Sequence, residues 1–304
     1  KGRYKKIIAI SEMVKENNAY GKDSHVIRTV CLISTKPEYV RGVMNARLLR
    51  LSGPTTVIVS SRSAYAGRLF EIIVRFFKER MSNYDLVFIS FLSQPLIPFI
   101  RLRWKGKLVA DAFISLYDTI CFDRGVISPH GILGRAIYWF ERWSLNLADE
   151  IICDTDSHRL YFHETFGIPL SKLKVVYLAA PLEIFELSNK ANDFHTPCEV
   201  FYYASGLRLH GIDVILKAAH ELRNEPFRFT LIGPIQKIYH ELIDTLDLQH
   251  CNFIPWVAYN DLFSRIANSD VCIGGPFGDS EKAKRVIPGK AYQFAVAGKP
   301  TILG

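Results

Sequence analysis

The sequence contains no apolar run long enough to cross a membrane as a helix. The longest, residues 86–100, is broken by polar residues and by Pro95 and Pro98, so it predicts buried core. No low-complexity stretch is present, and hydrophobic residues (49%) and charged residues (22%) occur at ordinary globular levels. The apolar stretch Ile7–Ile10 is followed at once by polar residues, so no signal peptide is expected. These absences predict a folded, cytoplasmic protein.

Several familiar chemical motifs are also absent. The 6 cysteines are scattered without a Cys-x-x-Cys pair, which predicts reduced, buried thiols. No Gly-x4-Gly-Lys phosphate loop occurs, and no Gly-x-Gly-x-x-Gly follows a predicted strand. The His-Glu pairs that begin at His163 and His240 lack the second His of a zinc-binding helix. The sequence therefore disfavours a P-loop NTPase and a nicotinamide dehydrogenase, and it predicts no metal site.

Positive charge is concentrated in the first part of the chain. Residues 1–185 contain 26 Lys and Arg against 17 Asp and Glu, whereas residues 186–304 contain 12 against 13. A basic surface suits nucleic acid, an anionic membrane or a phosphorylated substrate, and composition alone does not choose among them. The nearly neutral second part indicates that one domain alone meets such a partner.

Short apolar strands alternate with helical patterns along most of the chain, which is typical of parallel sheets covered on both faces by helices. A chain of 304 residues also favours two domains. The alternation runs through residues 30–185, lapses in a polar linker at 186–197, and resumes through 198–304. We therefore expect two doubly wound α/β domains, preceded by an N-terminal extension at 1–29. The carboxyl ends of the strands, where such sheets bind ligands, fall at Ser34, Tyr203, Ile232 and Gly274.

Both ends of the chain have unusual features. Residues 4–30 and 148–176 share the same order of strand, helix, Gly and strand, so 1–29 is expected to be the remnant of a similar unit. The last predicted strand, at 300–303, is not followed by covering helices. That pattern predicts an incomplete second domain.

The most informative stretch begins where a predicted strand runs into Gly275, Phe277 and Gly278. The two glycines let the backbone approach a ligand closely. Pro288 then precedes a predicted helix whose free N–H groups favour an anion, and Lys290 in its first turn supplies a countercharge. The pattern predicts a site for a phosphate-bearing ligand.

This stretch resembles the donor-binding half of GT-B glycosyltransferases of family 4, in which a loop, a Pro-x-Lys and a helix ending in Ala-x-Gly-Lys-Pro grip a nucleotide diphosphate. The resemblance continues in Leu209-His-Gly-Ile-Asp213, in Phe229-Thr-Leu-Ile-Gly233 and in Cys31-Leu-Ile-Ser-Thr with its following Gly42. It covers about residues 31–304. Family 4 implies two Rossmann-like domains that face one another across a cleft, the second of them truncated here.

The resemblance also implies the residues of the donor site. Where family members carry a pair of Glu residues, this sequence has Arg285 and Gln293, and where many carry Arg and Lys it has Ser205 and His210. The expected donor-binding residues are Gly42, Arg208, His210, Gly275, Phe277, Gly278, Arg285, Pro288, Lys290 and Gln293. Assistance to the acceptor hydroxyl is expected from Asp118 or His130.

The function that the resemblance implies is transfer of a hexosyl group from a nucleoside diphosphate sugar to a glycan or lipid-linked acceptor. It implies retention of configuration, no metal and no cofactor, and a role in cell-surface polysaccharide or glycolipid synthesis. Helix N-termini and cations would stabilise the leaving diphosphate. Two alternatives stay open: a sugar-nucleotide epimerase or phosphorylase on the same scaffold, and a non-catalytic homologue that binds sugar nucleotides. A nucleic-acid-binding role explains the charge but not the donor-type loop, so no nucleic-acid partner is predicted.

A predicted helix at 68–80 has charged residues on one side and Phe, Ile and Val on the other. Packing against the sheet accounts for the apolar side. Binding of this helix to an anionic membrane that presents a lipid-linked acceptor would also account for the apolar side. On that reading the protein is cytoplasmic and peripheral on the inner face of the cytoplasmic membrane.

Overall fold

The computed structural model describes residues 29–92, 94–178, 180 and 195–304. The chain divides into two compact units, Lys1–Leu178 and Ala179–Gly304. The expected N-terminal extension up to residue 28, the first copy of the internal repeat and most of the expected linker at 186–197 lie outside the described residues.

The first unit has a six-stranded parallel sheet in the order β2-β1-β3-β4-β5-β6. Its described strands are β1 (Val30–Ser34), β2 (Thr55–Ile58), β3 (Leu86–Ser90), β4 (Lys107–Asp111), β5 (Glu150–Cys153) and β6 (Leu173–Val175). Its described α-helices are α1 (Val40–Ser52), α2 (Tyr65–Lys78), α3 (Ile97–Arg103), α4 (Ile132–Asn146) and α5 (Asp156–Phe166).

Both faces of this sheet are buried, because apolar residues run continuously along its central strands and every residue of β1 and β3 is buried. On one face, helices α2 to α5 pack over a cluster that contains the fully buried rings of Phe76, Phe162 and Phe166. On the other face, α1 packs over Leu32 and Phe88.

The second unit has a five-stranded parallel sheet in the order β11-β10-β7-β8-β9. Its described strands are β7 (Cys198–Tyr203), β8 (Phe227–Ile232), β9 (Cys251–Ile254), β10 (Val271–Ile273) and β11 (Thr301–Ile302). Its described α-helices are α6 (Ile212–Glu221), α7 (Ile235–Ile238), α8 (His240–Ile243), α9 (Tyr259–Ala267) and α10 (Gly289–Val296). The core again has two faces, one around Tyr202 and one around Phe201 and Phe294.

The predicted fold class, two doubly wound domains with parallel sheets, is confirmed. The structure adds elements that the sequence pattern did not reveal, namely α3, β9 and α9. The sequence pattern predicts one helix at 238–246, whereas the structure has two short helices, α7 and α8, on either side of Tyr239.

The cysteines are free thiols, as expected. Those at 31, 121, 153 and 272 are buried, and those at 198 and 251 are half-buried. In the part of the chain that the structure describes, no helix is both long enough and apolar enough to span a membrane.

Candidate functional site

The second sheet opens at one point along its carboxyl edge. From β7 the chain first adds β8 and β9 on one side of the sheet, and later adds β10 and β11 on the other side. The connections that leave β7 and β10 therefore diverge and leave a crevice between them. In open α/β sheets this switch point is the usual place for a ligand.

Two loops meet at this crevice through their backbones. The N–H of Phe277 donates to the carbonyl of His210 at 3.2 Å, and the N–H of Gly278 donates to the carbonyl of Leu209 at 3.0 Å. Gly211 has a φ of +60°, and a Cβ atom there would lie 2.4 Å from the carbonyl carbon of Phe277. Glycine is required at this position, because any side chain would push the two loops apart.

Lys290 lies under the crevice in the first turn of α10. Only 6% of it is exposed, and its Nζ donates to the carbonyl of Tyr203, the last residue of β7, at 2.7 Å. The same ammonium group lies 4.0 Å from the ring centroid of Tyr202. Burial lowers the pKa of Lys290 to about 7. The amine is thus held at the carboxyl edge of the sheet with a lowered pKa, and a nearby anion would favour its protonated form.

His210 is the second titratable group at this edge. Its Nδ1 is buried and has no hydrogen-bond partner in the described part of the chain. Burial, with a smaller contribution from the neighbouring Lys290, lowers the pKa of His210 to about 3. A neutral imidazole with an unused ring nitrogen suits a polar ligand better than a purely structural role, because unpaired buried polar atoms are costly.

Gln293 sits one helical turn beyond Lys290 and is bonded within the protein. The hydroxyl of Tyr203 donates to its Oε1, and its Nε2 donates to the hydroxyl of Tyr259 at 3.1 Å. Both ends of the amide are therefore engaged, and 3% of the residue is exposed. Gln293 therefore links α10 to the end of β7 through Tyr203 and to α9 through Tyr259.

The remaining residues expected at the donor site lie in turns of the second unit. Arg208 is exposed in the 3₁₀ turn Arg208–His210, and Arg285 is half-buried in the turn Ala283–Arg285. Gly275 has a φ of +65°, and Pro288 precedes α10, whose first turn has no side-chain cap. Every expected donor-binding residue except Gly42 belongs to the second unit, and Gly42 belongs to the first.

The first sheet has its own switch point between β1 and β3, and aromatic side chains fill it. The ring of Tyr39 lies 4.7 Å from that of Phe91 and 5.6 Å from that of Phe113. Lys36 stands 5.7 Å from the Phe91 ring. Gly42, in the first turn of α1, lies close beneath this loop, since a Cβ there would meet the carbonyl oxygen of Lys36 at 3.4 Å.

A buried ion pair fixes α1 to the carboxyl end of β4. Nε of Arg41 donates to both carboxylate oxygens of Asp111 at 2.8 and 2.9 Å, and Nδ2 of Asn45 donates to the same carboxylate at 2.7 Å. Arg41 is 2% exposed and also donates to the carbonyl of Val176 at 3.1 Å. Burial raises the pKa of Asp111, and the guanidinium of Arg41 opposes that rise.

Asp118 lies in the π-helical turn Asp118–Asp123 and is only 3% exposed. The loop before it is held by Glu141, whose buried carboxylate accepts hydrogen bonds from Ser115 Oγ at 2.8 Å and from the N–H groups of Leu116 at 2.8 Å and Tyr117 at 2.7 Å. Burial raises the pKa of Glu141 to about 7. Asp118 is therefore a carboxyl group inside a braced loop rather than at an open surface.

His130, the other residue expected to assist an acceptor, is exposed beside a cavity. The cavity has a volume of about 380 Å³ and is lined by His130 together with Tyr117, Pro129, Arg135, Tyr138 and Trp139. Aromatic rings with a cation and an imidazole are groups that bind sugars and phosphates. Of the two expected residues, only His130 lines this cavity.

Sequence reasoning missed Arg41, Asp111 and Glu141. Arg41 and Asp111 are 70 residues apart in the chain, and no local pattern joins them. A signal existed for Glu141, since it is the only acidic residue in a long, otherwise apolar and basic helical segment, α4. A lone carboxylate of that kind has either a buried partner or a chemical role.

No protein-family model and no curated protein matches this sequence. Similar solved structures exist, and the fold that they share with this chain is that of GT-B glycosyltransferases. HepE from Anabaena in complex with UDP matches with a TM-score of 0.61 at 14% identity, over 91% of this chain and 80% of that chain. An α-glucosyltransferase in complex with UDP gives a TM-score of 0.58 at 10% identity, over 90% and 80% of the two chains. The lipopolysaccharide outer core galactosyltransferase WaaB gives 0.52 at 12% identity, over 90% and 80%.

Proposed function

We propose that this chain is a glycosyltransferase that takes its sugar from a nucleoside diphosphate sugar bound at the carboxyl edge of the second sheet. The observation that carries the proposal is the crevice between β7 and β10, where a buried lysine, an unpaired imidazole nitrogen and two close-packed loops lie together. Helices α6 and α10 both begin beside it. Such helix N-termini stabilise phosphate groups.

The similar structures support a nucleotide sugar as the donor. HepE was solved with UDP and with UDP-glucose, and the α-glucosyltransferase was solved with UDP.

In the proposed reaction the glycosidic bond to the diphosphate breaks and negative charge develops on the leaving group. Lys290 is placed to supply positive charge beneath it, and Arg208 and Arg285 lie on the surrounding turns. These groups would stabilise the transition state by preorganised electrostatics, together with the first turns of α6 and α10. We also propose retention of configuration, independence of metal, and a glycan or lipid-linked acceptor.

On the acceptor side we propose His130 rather than Asp118 as the residue that meets the acceptor hydroxyl. His130 is exposed and lines the aromatic cavity, whereas Asp118 is almost fully buried. A residue that removes a proton must reach the reacting hydroxyl within hydrogen-bond distance. A His130→Gln variant is expected to lower kcat while leaving the donor affinity unchanged.

The proposal is tested by incubating the protein with UDP-, GDP- and ADP-sugars and a panel of glycan and lipid-linked acceptors, followed by mass spectrometry of the products. A transferase releases nucleoside diphosphate and adds one hexose to an acceptor. An epimerase instead converts the sugar nucleotide with no acceptor modified, and a non-catalytic homologue binds a donor without turnover. Either of those results would replace the proposed function.

A matched pair of lysine variants controls this experiment. Lys290 and Lys299 each donate from Nζ to a backbone carbonyl in the same unit, at 2.7 and 2.6 Å. Lys299, however, bonds to Ala267, before the start of β10, at the opposite edge of the sheet. Lys290→Met is expected to abolish measurable transfer, and Lys299→Met to preserve it. Equal transfer activities of the two variants would show that Lys290 has no role in the donor site.

A further inference from the structure

Helix α4 presents its largest apolar side chains to solvent. Ile132 is 88% exposed, Leu133 65%, Trp139 57%, Trp143 53% and Phe140 37%. At 100° per residue these positions fall within about a third of the helix circumference, so they form one stripe on the outer side of the helix. A contiguous exposed patch of this size marks a surface that meets an apolar partner.

The inner side of α4 is mixed in character, since the ring of Tyr138 packs against that of Phe166 there. The residues that it buries against the first unit are Gly134, Glu141, Ser144 and Leu145. A helix that only covered a sheet would place its aromatic residues inside and its polar residues outside. The exposed apolar residues of α4 therefore indicate a binding partner on its outer side.

The exposed stripe continues onto the neighbouring helices of the same sheet face. On α2, Phe70, Val74 and Phe77 are exposed, while Ile72 and Phe76 of the same helix are fully buried. Helix α3 packs against both α2 and α4. The apolar face, defined as the outer side of α2, α3 and α4, therefore crosses three adjacent helices. The sequence favours 68–80, with the basic residues at 101–107, as a candidate membrane contact, and in the structure the largest exposed apolar side chains lie on α4.

The charges on this face are predominantly positive. Arg142 lies over the ring of Trp139 at 5.3 Å, and Arg103, at the end of α3, lies over the ring of Phe77 at 5.8 Å. Arg75 is 50% exposed and pairs with Glu71 at 2.5 Å. Since the carboxylate of Glu141 points inward, α4 contributes no negative charge to the face.

We propose that the apolar face docks the protein onto an anionic lipid membrane, with Trp139 and Trp143 at the level of the headgroups and the arginines against lipid phosphates. Tryptophan and arginine are the side chains that favour the membrane interface. A second copy of the chain fits less well, because a twofold contact would bring the arginines of both copies together. Docking goes beyond the proposed transfer reaction and does not depend on it.

The test is co-sedimentation of the full chain with vesicles of phosphatidylcholine alone or with phosphatidylglycerol added, in the absence of any sugar nucleotide. The Trp139→Ser/Trp143→Ser variant is expected to need about tenfold more anionic lipid for half-binding. Trp256→Ser is the matched control, because Trp256 is 77% exposed on the second unit. It is expected to bind as the unmodified protein does. Arg142→Gln is expected to weaken binding to the anionic vesicles about fivefold and to leave binding to neutral vesicles unchanged.

A second measurement needs no change to the apolar face. In a Trp256→Phe background, the remaining exposed tryptophans are expected to shift their emission to the blue and to be quenched by brominated lipid. Equal binding to neutral and anionic vesicles, or unquenched emission, would overturn the proposal. A double variant that binds vesicles normally but loses self-association would assign the face to a second copy. Because no donor is present, these failures leave the proposed glycosyltransferase function untouched.

Discussion

Binding of a sugar nucleotide is expected to draw a proton onto Lys290. Burial lowers the pKa of this amine to about 7, and its neighbours are the carbonyl of Tyr203, the ring of Tyr202 and the neutral His210. None of these neighbours carries a negative charge. A diphosphate placed beside the amine favours the ammonium form and returns its pKa toward the ordinary value of about 10.4.

The size of the effect follows from these pKa values. At pH 8 about a tenth of the Lys290 amines carry a proton before binding, so saturation takes up about 0.9 proton per chain. At pH 7 the uptake falls to about 0.5 proton, and the affinity is about fivefold higher than at pH 8. At pH 8 His210 contributes little, because even a return of its pKa from about 3 to the ordinary value of 6.5 leaves the imidazole neutral.

The assay is calorimetric titration at pH 8 in buffers of different ionisation enthalpy, with an intact sugar nucleotide whose diphosphate does not titrate near neutrality. Lys290→Met is expected to remove the uptake, and Lys299→Met to leave it. Uptake below about 0.2 proton by the unmodified protein, or the same uptake by the Lys290 variant, would refute the reasoning.

Three further predictions concern the framework of the two units. Gly211→Ala places a Cβ 2.4 Å from the Phe277 backbone and should destabilise the chain by more than about 2 kcal/mol in denaturant titrations. The control Gly298→Ala shares the positive φ but meets no atom within 4 Å, so a cost of only about 1 kcal/mol is expected, and equal costs would contradict the packing argument. Arg41→Met should cost about 3–5 kcal/mol, because it leaves Asp111 buried without a countercharge, whereas the double variant with Asp111→Asn should recover most of it. Glu141 has its pKa raised from 4.5 to about 7, so stability should fall by up to about 3 kcal/mol as the pH rises from 4.5 to 7. Glu141→Gln should abolish that slope, and an unchanged slope would place the titration elsewhere.

Much of the fold could be predicted because parallel sheets have a strong local signal. Strands β1 and β3 each have five buried residues, of which the first four are apolar, and the helices between the strands alternate regularly. Helix α3 was missed because residues 86–100 are apolar almost throughout, which leaves no helical period to detect. The outer face of α4 was hidden for a different reason, because its exposed residues are of the apolar type that normally marks a buried face.

The loop residues of the candidate site could be predicted from the sequence, whereas the buried side-chain contacts beneath the loops could not. Gly211, Gly275 and Lys290 stand out in the sequence, because glycines and a lysine at a helix start have local meaning. The contacts of Gln293 do not, since Tyr203 lies 90 residues away and Tyr259 lies 34 residues away. Long-range side-chain networks are set by tertiary packing, which one sequence does not reveal.

The most direct test of where the donor binds is backbone hydrogen exchange with and without a saturating sugar nucleotide. Slower exchange is predicted in the loops 204–211 and 274–278, because a bound diphosphate would hold together the two loops that Phe277 and Gly278 already join. It is also predicted in the first turn of α10, whose free N–H groups would donate to the diphosphate. Unchanged exchange in all three segments at saturation, or protection confined to other parts of the chain, would contradict a donor site at the carboxyl edge of the second sheet.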